Sequence, residues 1–269
     1  MNSPQWKLHE IHLKNAYNTI KNHTYSCPHQ YKDAFAKLIQ QCLDSGFIQP
    51  SSSPFASPSF IIPKKDPKVL PRWVCDYCQL NANTIPDSFP LPRIDDILAD
   101  CVRGKIWGMI DMTDSFFQTC MHLDDIHKTA VSTPFGLYEW LVMPMGFHNS
   151  PSIHQRQVTN TLRPLIGKIC HVYLYNIVIW SDTIEEHIKN TRTVMQAIKD
   201  AKLYVNERKT NLFCTSINFL GHHISELGIE ADSTKVTKIM DWPTPTSATE
   251  VHQFLGLVRY IGTFLPKTC

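Results

Sequence analysis

The sequence predicts an α+β chain. Strand-like and helix-like segments are mixed without a regular strand–helix–strand alternation, and no internal repeat is evident. Hydrophobic residues make up 43% and charged residues 19% of the 269 positions. That is the balance of a folded chain with a buried core, long enough for one large domain or two small ones, and it excludes wholesale disorder.

Taken in order, residues 1–30 are polar and aromatic with no firm period and read as a surface arm. Over 31–46 the apolar positions Ala34, Phe35, Leu38, Ile39, Cys42 and Leu43 recur at helical spacing, and Gly46 stands where a helix would stop. Pro50 to Pro58 is a serine–proline stretch that predicts loop. Ser59–Pro63 and Arg72–Tyr77 predict two strands joined by the basic turn Lys64-Lys65-Asp66-Pro67-Lys68. A helix is expected from Arg93, after Pro90 and Pro92. Lys105–Met112 predicts a short strand ending at Asp111, and Asp124-Asp125 an acidic, solvated turn. Gly136–Pro144 mixes aromatics and valine, and Ser150–Leu165 is helical in pattern. His171–Trp180 predicts strand, turn and strand. Asp182–Lys202 predicts a helix with Ile188, Thr191, Val194, Met195, Ile198 and Leu203 on one side. Phe213–Ile224 is strand-rich, and Thr234–Trp242 and Ala248–Phe264 predict the last two helices.

The longest apolar stretch, His171–Trp180, is about half of what a membrane helix needs. Met1–Lys7 lacks the apolar core of a signal peptide. The expectation is an intracellular protein, cytoplasmic or nuclear, with no membrane partner. The formal charge of +2 points weakly to nucleic acid. Nine cysteines without a secretory route read as reduced thiols. Cys75 and Cys78 form a single C-x-x-C. Zinc needs four ligands and no second pair follows, so two cysteines on a half-buried strand is the preferred reading.

The segments Arg72 to Asn81, Ile110 to Gln118, Phe135 to Pro151, Phe219 to Ile224 and Phe254 to Tyr260, taken together and in this order, resemble the reverse transcriptases of gypsy-like long-terminal-repeat retrotransposons. Arg72-Trp73-Val74-Cys75-Asp76-Tyr77-Cys78-Gln79-Leu80-Asn81 resembles that family's fingers strand. Ile110-Asp111-Met112-Thr113-Asp114-Ser115-Phe116-Phe117-Gln118 resembles the first catalytic-aspartate strand. Phe135 to Pro151, with Met143-Pro144-Met145-Gly146 at its centre, resembles the nucleotide-pocket segment. Phe219-Leu220-Gly221-His222-His223-Ile224 resembles the primer-gripping hairpin, and Phe254 to Tyr260 the segment after the thumb start. The likeness runs from about Leu43 to Pro266. It implies a right-hand polymerase fold with fingers, an antiparallel palm sheet and a partial thumb. The expected division is an N-terminal arm and first helix at 1–42, fingers and palm at 43–228, and partial thumb at 229–269. The protease, RNase H and integrase portions of such a Pol polyprotein are expected to be absent. The resemblance also implies RNA-directed DNA polymerisation, a template–primer duplex of RNA or DNA, a deoxynucleotide, and Mg²⁺.

The resemblance further implies carboxylates in two places: one matched by Asp111, the other in a Tyr-x-Asp-Asp turn. Here that turn reads Tyr173-Leu174-Tyr175-Asn176, so both aspartates are replaced. Nucleotidyl transfer uses two magnesium ions held by hard oxygen ligands. A phenol and a neutral amide supply no charge, which leaves Asp111 as the remaining metal-ligand position. Asp114, Asp124, Asp125 and Asp182 are not expected to compensate, on geometry. Cys78 and Cys120 stand where relatives would carry basic residues.

The other matched positions are intact. Lys64, Lys65 and Arg72 would meet the triphosphate, with a solvated basic hairpin as the plainer reading. Met112, Asp114, Met145 and Gly146 would line the nucleotide site, and Phe116 would pack under the sugar or simply in the core. Gly221, His222 and His223 would grip the primer, although the histidines could equally be exposed strand residues. Arg208 and Lys209 would lie near the nucleic-acid backbone or on a solvated face. Three readings follow: a silent reverse-transcriptase fold that at most binds template–primer, an active RNA-directed DNA polymerase, and a non-enzymatic structural subunit.

Overall fold

The computed structural model describes residues 8–20, 25–66, 68–112 and 114–261, without the side chains of 260 and 261. Met1–Lys7, Pro67, Thr113 and the expected end of the last helix at Phe264 lie outside the described residues. Along the chain run β1 (Leu8–His9), α1 (Lys32–Asp44), β2 (Ile48–Pro50), β3 (Ser57–Ile62), β4 (Arg72–Cys75), α2 (Cys78–Asn83), α3 (Ile94–Cys101), β5 (Ile106–Asp111), β6 (Cys120–Met121), β7 (Val131–Thr133), β8 (Gly136–Trp140) and α4 (Ser150–Leu162). Then come β9 (Cys170–Tyr173), β10 (Asn176–Ser181), α5 (Ile184–Asp200), β11 (Asn211–Cys214), β12 (Ser216–Phe219), β13 (His222–Ser225), β14 (Gly228–Ala231), α6 (Ser233–Met240) and α7 (Ala248–Ile261).

The chain divides into two compact units, Met1–Leu91 with Met112–Thr161 and Pro92–Asp111 with Leu162–Cys269. In the first, five strands pair in the order β2-β8-β7-β3-β4, all antiparallel except β3 with β7. Its core joins Phe35 and Ile39 of α1 to Tyr77, Leu80, Trp140 and Phe147. As the periodicity predicts, α1 buries Phe35 and Ile39, and Gly46 takes a left-handed φ of +67° just past its end.

In the second unit, β11-β5-β10-β9 form one antiparallel sheet and β12-β13-β14 another. Trp107, Val178, Ile217, Phe219 and Ile224 share its core with Ile97, Leu98 and Cys101 of α3. Helix α5 opens on a capping box: the Thr183 hydroxyl accepts the Glu186 N–H at 3.2 Å and Glu186 accepts the Asp182 N–H at 3.1 Å.

Several expectations are corrected. Residues 14–19 of the arm before α1 are exposed as expected, but the arm is not wholly a surface feature. β1 pairs in parallel with β6, and His9, Ile11 and Ile20 are at most 3% exposed. Pro50 ends β2 and Ser57–Pro58 open β3 where serine and proline predicted loop, because these positions pair within the sheet. Cys75 ends β4 in the core, but Cys78 leaves the strand and opens α2, exposed. Helix α5 buries His187 and Asn190 together with Thr191, Val194 and Ile198, while Ile188 is exposed. Its inner face is therefore rotated from the apolar stripe. Asn190 is drawn in by bonds to the Ser181 hydroxyl at 3.0 Å and the Trp180 carbonyl at 3.4 Å.

Burial pushes the His9 imidazole from 6.5 down to about 4, against the opposing pull of Asp125 and Asp87. A depressed folded-state value means the unfolded chain binds the proton first as pH falls. The stability this group confers is complete above about 6.5 and is lost between there and about 4, on the order of 3 kcal/mol in all. Burial lowers the His187 value in the same direction. Urea unfolding at pH 7 and pH 5 should show this loss, and His9→Gln should remove most of the first unit's share. An unchanged pH slope in that variant would refute the assignment.

Candidate active site

The two candidate site strands meet in the second unit. Tyr173 at the end of β9 pairs with Asn176 at the start of β10, leaving Leu174-Tyr175 as a two-residue turn. Leu174 holds φ at +52°, a left-handed conformation that costs a branched side chain about 1 kcal/mol. Tyr175 projects from the tip, 46% exposed. Beyond it, Ile177, Val178 and Ile179 are fully buried. β10 pairs with β5 without a break from Asn176 to Ser181. In that register Asn176 lies directly opposite Asp111.

Asp111 is anchored by a segment that sequence reasoning left on the periphery. Its carbonyl accepts the Asn206 N–H at 2.7 Å. Asn206 in turn caps the short helix Glu207–Lys209, accepting the Arg208 N–H at 3.2 Å, and the Thr210 hydroxyl donates to the Asn206 carbonyl at 2.8 Å. Next, Asn211 joins β5 opposite Met109. The segment is thereby tied to β5 on both sides of Lys209, and the Lys209 Nζ stands 3.9 Å from Asp111 Oδ1. The lysine faces the candidate catalytic carboxylate rather than only solvent. Nothing in the spacing of Arg208 and Lys209 signals this, because the contact depends on how β11 joins the sheet.

At the hairpin the donor set is one carboxylate, one amide and one phenol, with an ammonium beside the carboxylate. Among the described residues, no three His, Cys, Asp or Glu side chains cluster in a way that could hold a metal ion. A two-magnesium clamp needs several anionic oxygens, and these residues do not fit it. The other carboxylates weighed from sequence do not supply them. Asp182 follows β10 as an exposed residue, and Asp124 is exposed. Asp125 is buried rather than solvated, accepting the Ile11 N–H at 2.9 Å and pairing with Lys128.

Within the first unit, Lys64 and Lys65 are exposed beyond β3, and Arg72 begins β4 opposite Ile62. Lys64 also lines a cleft of about 330 Å³ with Gln30, Tyr31 and Lys68. Met112 is buried, whereas Asp114 is exposed at a left-handed φ of +38°. Phe116 packs against the core with its ring edge-on to His154 at 5.8 Å. Met145 is exposed. Gly146 has φ +91°, and a Cβ there would lie 2.9 Å from the Cys75 carbonyl oxygen. The residue must be glycine on both counts. Asn81 locks the segment, donating to the Gly146 carbonyl at 2.9 Å and accepting the His148 N–H at 3.0 Å.

In the second unit, Leu220 and Gly221 form the turn between β12 and β13, both left-handed at +49° and +76°. His222 is buried and not an exposed strand residue, whereas His223 is half-buried with its Nδ1 2.8 Å from Asn218 Oδ1.

Residues 62–224 match the family model described as reverse transcriptase (RNA-dependent DNA polymerase). The Retrovirus-related Pol polyprotein from transposon opus of Drosophila melanogaster is 38% identical over 254 residues, covering 93% of this chain and 25% of that protein. The corresponding polyprotein from transposon gypsy of the same organism is 36% identical over 231 residues, covering 84% of this chain and 22% of its own length. The chain thus spans about a quarter of these curated relatives. Among solved structures, the foamy viral protease-reverse transcriptase in complex with dsDNA superposes with a TM-score of 0.84 at 25% identity, over 98% of this chain and 56% of that one. The same viral protein in complex with an RNA/DNA hybrid gives 0.81 at 24% identity, over 93% and 34%. The α+β architecture with its antiparallel Asp111 sheet is therefore a polymerase fold, and the chain belongs to the reverse transcriptase (RNA-dependent DNA polymerase) family.

Proposed function

We propose that this chain is a reverse-transcriptase fold that holds a template–primer duplex of RNA or DNA without extending it. The observation that carries the reading is Asp111, at the end of β5, faced across the ladder by Asn176 and not by an aspartate. Each lost contact to developing charge costs on the order of a hundred- to a thousandfold in rate, and two losses at one phosphoryl centre leave little chemistry. The groups that would touch nucleic acid and nucleotide remain. Lys64, Lys65 and Arg72 offer exposed cations for phosphates, and Met112, Asp114, Phe116, Met145 and Gly146 form the candidate nucleotide contacts. Gly221, His222 and His223 form the candidate primer grip. On this reading 1–42 is an arm with the first helix, 43–228 fingers and palm, and 229–269 the start of a thumb. Mg²⁺ has no productive seat.

Two measurements test it together. Primer extension with magnesium or manganese should give no product. Binding to an RNA–DNA hybrid should be measurable at low salt and fall at least about tenfold between 50 and 200 mM, as counterion release requires. Magnesium at millimolar concentration should leave the melting temperature nearly unchanged, since a ligand that binds the folded state would raise it. Extension by the native chain would restore the active-polymerase reading, and absence of hybrid binding at any salt would leave a structural role.

A further inference from the structure

We propose that the Lys209 ammonium is the resident counter-ion of Asp111, balancing the charge that a divalent ion would otherwise have to balance at that carboxylate. The inference rests on the reading of this site as metal-free and adds the group that replaces the metal. Asp111 ends a strand of the core sheet, with its side chain only 14% exposed. A carboxylate so enclosed, beside the neutral Asn176 and the phenol-bearing turn, needs a positive partner. Lys209 supplies it at 3.9 Å.

The pairing is built and not incidental. The same aspartate receives the Asn206 N–H on its carbonyl at 2.7 Å, and the capped turn that follows carries Lys209. Two residues later the chain is captured by β5 through Asn211 and Met109. The backbone on either side is thus tethered to the strand that bears the carboxylate. The lysine side chain remains 69% exposed, so the interaction is modest in size. It competes directly with any cation approaching Oδ1.

The test uses Mn²⁺ alone as probe, followed by the electron paramagnetic resonance of the free ion. In a chain carrying Tyr175→Asp and Asn176→Asp, adding Lys209→Met should tighten Mn²⁺ binding by about threefold, the size of an exposed ion pair that no longer has to be broken. Unchanged or weaker Mn²⁺ binding would overturn the proposal. A second measurement needs no metal. In the otherwise native chain, Asp111→Asn and Lys209→Met, made singly and together, should couple by about threefold in the unfolding equilibrium at low salt and become additive in 1 M NaCl. Additivity already at low salt would also overturn it. Tight Mn²⁺ binding by the native chain would instead sink the metal-free reading itself, so the two failures are told apart.

Discussion

Tyr175→Asp combined with Asn176→Asp should confer magnesium-dependent nucleotide addition on a chain proposed above to have none. Both positions tolerate the change structurally. Tyr175 is 46% exposed at a hairpin tip, and Asn176 is only half-buried at the first residue of β10. Substitutions outside the core usually shift stability by less than about 0.5 kcal/mol. The backbone frame already exists, because Asn176 lies opposite Asp111 and the buried Ile177–Ile179 segment holds that register. Three carboxylates would then meet where one stands now, enough to clamp the attacking and leaving oxygens of an in-line displacement. The expected gain is on the order of a thousandfold over the native background. Single-nucleotide incorporation on a primed RNA template measures it. The double variant should also gain a melting-temperature rise with millimolar magnesium, because the metal would relieve repulsion among the added carboxylates. A folded double variant that shows the thermal shift but adds no nucleotide would move attention to Cys78 and Cys120, where the resemblance leads one to expect basic residues. One showing neither effect would refute the account of the hairpin.

Asp125→Ala should be the most destabilising of the single changes considered, at about 3–5 kcal/mol, the usual cost of breaking a buried ion pair by removing one partner. Asp125 is 7% exposed. It accepts the Ile11 N–H at 2.9 Å and pairs with Lys128, whose ammonium also donates to the Ile11 carbonyl at 2.9 Å. Removing the carboxylate therefore leaves an enclosed lysine and a backbone N–H without their acceptor, and loosens the segment that runs next to β1. For a chain of this size the melting temperature should fall by on the order of 10 °C. Asp124→Ala is the control. That neighbour is exposed and its loss should change stability by less than about 0.5 kcal/mol. Equal effects at the two positions would show that the buried pair has no special weight.

Local patterns were legible wherever one short stretch of chain decides the outcome. The apolar spacing of α1, the strands on both sides of Leu174-Tyr175, the strand ending at Asp111 and the helical stretch of α5 could all be read in order. So could the replacement of two aspartates, since that is a statement about residue types in a recognisable frame. The burial of His9 and Ile11 could not be read, because β1 pairs with a strand more than a hundred residues away, and no local period reports a partner so distant. Thr191, Val194 and Ile198 of α5 turn in as the spacing predicts, whereas the burial of Asn190, bonded to β10, and the exposure of Ile188 could not be read from apolar character. Gly146 was marked as a position of close approach, but the atom it approaches, the Cys75 carbonyl, emerged only from the packing.

By itself the sequence determined the family, the order of the main strands and helices around the site, and the absence of paired acids beside the one that remains. Those properties reside in residue identity and short-range spacing. Tertiary structure alone decided that Asn176 stands opposite Asp111, that Lys209 is that aspartate's partner, and that Asp125 is enclosed while Asp124 is wet. Charge compensation and burial are set by groups brought together from remote parts of the chain, and such proximity exists only after the sheets have formed.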